Sequence, residues 1–82
     1  MKNCEINLSF EEFLNQNSVD FKITNKTAST NTYEIKGKYP APIIVDLRRN
    51  GKITIAEYDG YYTTNWDPED FAIRSYLLNL IY

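Results

Sequence analysis

The side chains here that could do chemistry are carboxylates, phenols and one thiol, because the 82 residues include no histidine. Without imidazole there is no Ser–His or Cys–His nucleophile system, no histidine metal site and no ordinary general base near neutral pH. The thiol, Cys4, falls in an apolar–polar alternation near the N-terminus, where a buried, inert cysteine is expected. One cysteine cannot form an intramolecular disulfide, which fits a reducing compartment. Gly37, Gly51 and Gly60 are isolated, so no glycine-rich loop is present to cradle a phosphate. Asp59, Asp67, Glu69 and Asp70 are close enough in sequence to hold a hard cation such as Mg²⁺ or Ca²⁺. Simpler roles account for them: Asp59-Gly60 reads as a turn, and Asp67-Pro68-Glu69-Asp70 as the opening of a helix. A protein that is not an enzyme and holds no cofactor or metal is therefore expected.

The aromatic residues offer a different chemistry. Seven of the twelve, Tyr58, Tyr61, Tyr62, Trp66, Phe71, Tyr76 and Tyr82, lie in the last twenty-five residues. Tyr and Trp are enriched where protein contacts concentrate their affinity. Tyr58, Asp59, Tyr61, Tyr62 and Trp66, with Phe71, Leu78 and Tyr82, form the candidate protein-binding set. Roughly half of the aromatics are expected to close the core whatever their other role. Base stacking is disfavoured, because this third of the chain is acidic and repels phosphate.

Charge is divided along the chain. Residues 1–20 carry a net −3, residues 21–52 a net +5 and residues 53–82 a net −4. Lys22, Lys26, Lys36, Lys38, Arg48, Arg49 and Lys52 make the middle basic, and they form the alternative, nucleic-acid-binding set. That alternative requires one contiguous positive face. Lysines on exposed strand faces, keeping sheet edges unpaired, are the simpler expectation.

The elements that must position these groups follow from periodicity. Cys4, Ile6 and Leu8 alternate as a short strand. Ser9-Phe10-Glu11-Glu12 then reads as a capping box opening a short helix, with Phe10, Phe13 and Leu14 on one face and an end near Asn15-Gln16-Asn17. Val19, Phe21 and Ile23 alternate as a strand, residues 25–31 form a polar loop, and Tyr33, Ile35 and Gly37 mark the returning strand. Tyr39-Pro40-Ala41-Pro42 is a stiff link. Two strands then flank Arg49-Asn50-Gly51. A two-residue turn would set charge opposite aliphatics. A three-residue loop with Gly51 left-handed instead pairs Leu47 with Ile53 and Val45 with Ile55, and groups Asp46 with Thr54. The second register is expected.

Residues 61–66 read as a loop, and the last helix starts with Asp67 as N-cap and Pro68 in the first helical position. At 100° per residue, Ile73, Tyr76, Leu77 and Leu80 make one stripe, while Phe71, Leu78 and Tyr82 fall nearly opposite. A strand, a short helix, four antiparallel strands and a long helix is an order shared by many unrelated domains, double-stranded-RNA binders among them. Those have a basic, glycine-containing start to the last helix; Asp-Pro-Glu-Asp here argues against RNA binding through it.

The expected fold is therefore α+β over residues 1–82, in one small domain. It has an antiparallel sheet of about four to five strands, a short N-terminal helix and a long C-terminal helix packed on one face. No apolar run approaches the roughly 20 residues that span a bilayer, and no signal-peptide stretch opens the chain. A cytoplasmic protein without membrane contact is expected. Abundant Asn, Ile, Lys and Tyr, all encoded by AT-rich codons, point to an AT-rich source. The expected function is stoichiometric: a small inhibitor or modulator of another protein, of the kind that phages and mobile elements direct against host defences. A basic, nucleic-acid-handling host protein would complement the acidic stretch, and homodimerisation through Phe71, Leu78 and Tyr82 is the structural alternative.

Overall fold

Alternation of apolar and polar residues folds much of the stretch between Phe21 and Asn65 into strands. The computed structural model describes residues 2–57 and 60–82, with side chains from Leu8 onward. Its elements are α1 (Lys2–Gln16), β1 (Phe21–Lys26), β2 (Thr30–Ile35), β3 (Ile43–Arg48), β4 (Lys52–Glu57), β5 (Gly60–Asn65) and α2 (Phe71–Ile81). The five strands form one antiparallel meander in the order β1-β2-β3-β4-β5. Tyr33, Ile35, Ile43, Val45, Leu47, Ile53 and Ile55 point to one face and are buried there with Phe10, Phe13 and Leu14 of α1 and Ile73, Leu77, Leu80 and Ile81 of α2. The fold is α+β. No described helix is long and apolar enough to cross a membrane.

The β3–β4 hairpin has the register that the hydrophobic pattern requires: Leu47 faces Ile53, Val45 faces Ile55 and Asp46 faces Thr54. Gly51 has φ 91°, and its N–H donates to Arg48 O at 2.9 Å. A side chain at that angle is strained, so Gly51→Ala is expected to cost about 1–2 kcal/mol. A lower urea midpoint at unchanged slope would show it.

Several expectations are corrected. Cys4 to Leu8 is not a strand, since α1 already runs from Lys2. Ser9 therefore caps nothing; it lies inside the helix, and its Oγ accepts the indole N–H of Trp66 at 2.7 Å. A contact 57 residues away decides the role of that serine, and no local pattern reveals it. The relative helix lengths are also reversed, with 15 residues in α1 and 11 in α2. α1 does end where its sequence suggests. Ser18 turns left-handed (φ 56°), Val19 N–H donates to Leu14 O, and Asn17 Nδ2 donates to Phe13 O.

The polar loop after β1 shrinks to three residues, because Asn25 and Lys26 pair with Thr32 and Asn31. Residues 61–66 are not a loop: Gly60 to Asn65 form the fifth strand, in unbroken register with β4. Nor is Asp67 the N-cap. Its Oδ1 accepts from Glu69 N–H and its carbonyl from Asp70 N–H, closing a separate turn, and Asp70 then caps α2 through Ala72 N–H at 2.9 Å.

Candidate protein-binding site

The candidate contact residues separate once the chain is folded. Trp66 is only 7 % exposed. Its ring meets Phe10 edge-on at 5.1 Å and Phe13 at 5.5 Å, under α1. It is a core residue and leaves the docking set. Leu78 is half-buried against the core, and the exposed Tyr82 reaches the α1 terminus through its hydroxyl, which donates to Asn17 O. Leu78 therefore belongs to the edge of the core and Tyr82 to the end of α1, whereas Phe71 stands alone, 77 % exposed, at the start of α2. Tyr58 and Asp59 lie outside the described residues.

Tyr61 and Tyr62 remain, and both belong to β5. They point to opposite faces of the sheet, as neighbours in a strand must. Tyr62 lies opposite Ile55 on the helix-covered side, with its ring 4.9 Å from that of Tyr76. Tyr76 donates its hydroxyl to Glu57 Oε2 at 2.5 Å. Partial burial, followed by the carboxylate of Glu57, pushes the Tyr76 phenol up to about 12. Tyr61 lies on the open face beside Ala56, which pairs in turn with Ile44, and at 78 % exposure it is the most exposed large apolar side chain described.

β5 is an edge, and only β4 pairs with it among the described strands. Trp66 N–H donates to Gly51 O at 2.7 Å. Counting back from that bond, the antiparallel alternation turns the backbone groups of Thr64, Tyr62 and Gly60 towards β4. The N–H and C=O groups of Tyr61, Thr63 and Asn65 point outward. Thr63 and Asn65 escape a sequence reading in which residues 61–66 form a loop. A signal is present all the same: Tyr-Tyr-Thr-Thr after a Gly turn has high strand propensity.

The two edges of the sheet differ in kind. β1, at the other edge, carries Lys22 and Lys26, and its register shifts between Ile23 and Asn25. Charge and a bulge are the usual means of preventing a further strand from adding. β5 has the sequence Gly-Tyr-Tyr-Thr-Thr-Asn, with no charge, no proline and no shift of register.

The basic residues do not converge. Lys26, Arg48, Arg49 and Lys52 occupy the end of the sheet with the β1–β2 and β3–β4 loops. Lys22, Lys36 and Lys38 lie towards the opposite end, from about 13 Å (Lys22 to Lys26) to about 20 Å away along the strands. Glu34 and Asp46 lie between these groups. Lys22 is 3.8 Å from Glu34, and Asp46 accepts from Thr32 Oγ1. The Lys38 ammonium sits over the Tyr39 ring. Tyr39, Pro40 and Pro42 wall an open cleft of about 510 Å³ with Phe21, Lys22 and Lys36, so the stiff link helps shape the surface at that end.

Asp67 and Asp70 are occupied in turn and cap, and among the described residues no three potential metal ligands are grouped. Comparison with protein-family models, with curated proteins and with solved structures found no match.

Proposed function

We propose that this protein binds another protein stoichiometrically and modulates or blocks it, with the β5 edge and its flanking tyrosines as the contact. The supporting observation is the contrast between the two sheet edges: β1 is charged and bulged, whereas β5 is regular, uncharged and bordered by the exposed Tyr61. An edge of this kind offers directional backbone hydrogen bonds, and the tyrosines add apolar area at low entropic cost.

Thr63→Pro is the direct test. The Thr63 N–H points away from β4, so proline there removes no bond of the sheet ladder while obstructing the open edge. Proteins captured from cells of the source organism would be purified and titrated against wild type, Thr63→Pro and Tyr61→Ala/Tyr62→Ala. The expected result is one-to-one binding by wild type and a loss of at least about tenfold in both variants, with Thr63→Pro still folded by circular dichroism. Full affinity in both variants would overturn the reading.

A further inference from the structure

We propose that Asn50-Gly51 is a site of spontaneous covalent modification, in which the asparagine loses its amide through a cyclic imide, and that the folded β3–β4 hairpin holds the reaction off. The site is a consequence of the strand register. A three-residue loop that sets Leu47 against Ile53 needs a left-handed residue at its end, and Gly51 fills that place with φ 91°. The same glycine leaves the backbone nitrogen after Asn50 with no neighbouring side chain to shield it. Asparagine amides are among the thermolabile groups of a protein. Of the asparagines in this chain only Asn50 precedes a glycine, and it is exposed.

Water is the only other reactant. The Gly51 nitrogen attacks Asn50 Cγ; a bond forms between them, and the bond from Cγ to Nδ2 breaks. Nδ2 leaves as ammonia and takes the proton that the Gly51 nitrogen gives up. Water then opens the imide on one side or the other. Breaking the new N–Cγ bond yields aspartate. Breaking the original peptide bond yields isoaspartate, whose main chain runs through Cβ and Cγ.

Three hydrogen bonds oppose the first step. Gly51 N–H donates to Arg48 O at 2.9 Å, and Lys52 N–H donates to Asn50 Oδ1 at 3.0 Å. Gly51 O accepts from Trp66 N–H at 2.7 Å, which ties the turn to the first residue after β5. Closing the imide removes the Gly51 proton and swings the carboxamide onto the Gly51 nitrogen, so the first two bonds must be given up. The reaction therefore proceeds from an opened hairpin, and its rate follows the population of that open form.

The two products differ in what they do to the fold. Aspartate keeps the loop length and an oxygen for Lys52 N–H. Isoaspartate adds one carbon to the loop that Arg48 O and Gly51 N–H close, and so displaces Gly51 O from Trp66 N–H. Trp66 is the only tryptophan, and its ring lies under α1 against Phe10 and Phe13, so its emission reports that displacement.

The full chain would be incubated at mildly alkaline pH with and without denaturing urea, and conversion at each asparagine followed by peptide mapping with mass spectrometry. Asn50 is expected to convert first in urea, and at least about tenfold more slowly in the folded chain. Gly51→Ala in urea is expected to slow conversion by at least about tenfold, because its methyl group shields the nitrogen where no fold remains. The purified isoaspartyl form is expected to emit at longer wavelength than wild type, and Asn50→Asp to emit as wild type does. Equal rates with and without urea would overturn protection by the hairpin. Earlier conversion of any other asparagine in urea, or an unslowed Gly51→Ala, would overturn the site itself. Unchanged emission from the isoaspartyl form would overturn its coupling to Trp66.

Discussion

Phe10→Ala is expected to lower the unfolding free energy by about 3–5 kcal/mol, more than Gly51→Ala or any change at the β5 edge. The Phe10 side chain is fully buried, and its ring lies 5.0 Å from Tyr33 and 5.1 Å from Trp66. It is therefore the point where α1, the sheet and the β5–α2 connection meet. Removing it opens a cavity among rigid rings that cannot easily collapse, so the loss is greater than the transfer energy alone. Against the total stability of about 5–15 kcal/mol usual for a domain, such a change leaves little margin. Urea denaturation would measure it, with Leu8→Ala on the exposed side of α1 as the control, expected within about 0.5 kcal/mol of wild type. A shift in Phe10→Ala no larger than in the control would show that α1 is not an integral part of the core.

The second large effect is alkaline unfolding. Tyr33 is fully buried, and its hydroxyl donates to Glu11 Oε2 at 2.8 Å. Burial raises this phenol far above its ordinary value, and the Glu11 carboxylate adds to the rise, while the Asn31 amide opposes it by donating to the phenol oxygen. Tyr76, raised to about 12 by partial burial and Glu57, shifts the same way. In both cases the fold favours the neutral phenol.

A raised folded pKa means that the folded chain holds its proton where the unfolded chain, near the ordinary phenol value of 10, has lost it. The stabilisation is complete below about pH 10 and falls as pH rises through the folded values, first through about 12 for Tyr76 and higher still for Tyr33. Thermal melts from pH 8 to 12 should therefore stay level at first and then decline steeply. Tyr76→Phe should remove part of that decline. Its persistence unchanged in both Tyr33→Phe and Tyr76→Phe would show that neither phenol is its source.

The β3–β4 hairpin is legible in the sequence because two registers put different residues face to face, and only one matches aliphatic with aliphatic. Phe10, Phe13 and Leu14 are legible for a similar reason: helical spacing alone puts them on one side. The start of α1 is not. Its alternating residues imitate a strand, and Ser9 imitates a cap until its long-range indole partner is seen. The start of α2 lies one turn later than local pattern suggests, because Asp67 and Asp70 are equally good caps and adjacent turns compete for them.

The candidate site shows the same division. Composition by itself determined that the histidine systems and the glycine-rich phosphate cradle are absent, and that the aromatic and acidic residues gather near the C-terminus. These are properties of residue type and count, and folding cannot alter them. Only the tertiary structure decided which aromatics remain available. Trp66 and Tyr62 are four residues apart, yet one is sealed beneath α1 and the other borders an open edge. Only pairing decided that Tyr61, Thr63 and Asn65 direct their backbone groups outward, because that direction is set by the register with β4. Local preference acts between near neighbours in the chain, whereas burial and sheet edges are made by residues that sequence keeps far apart.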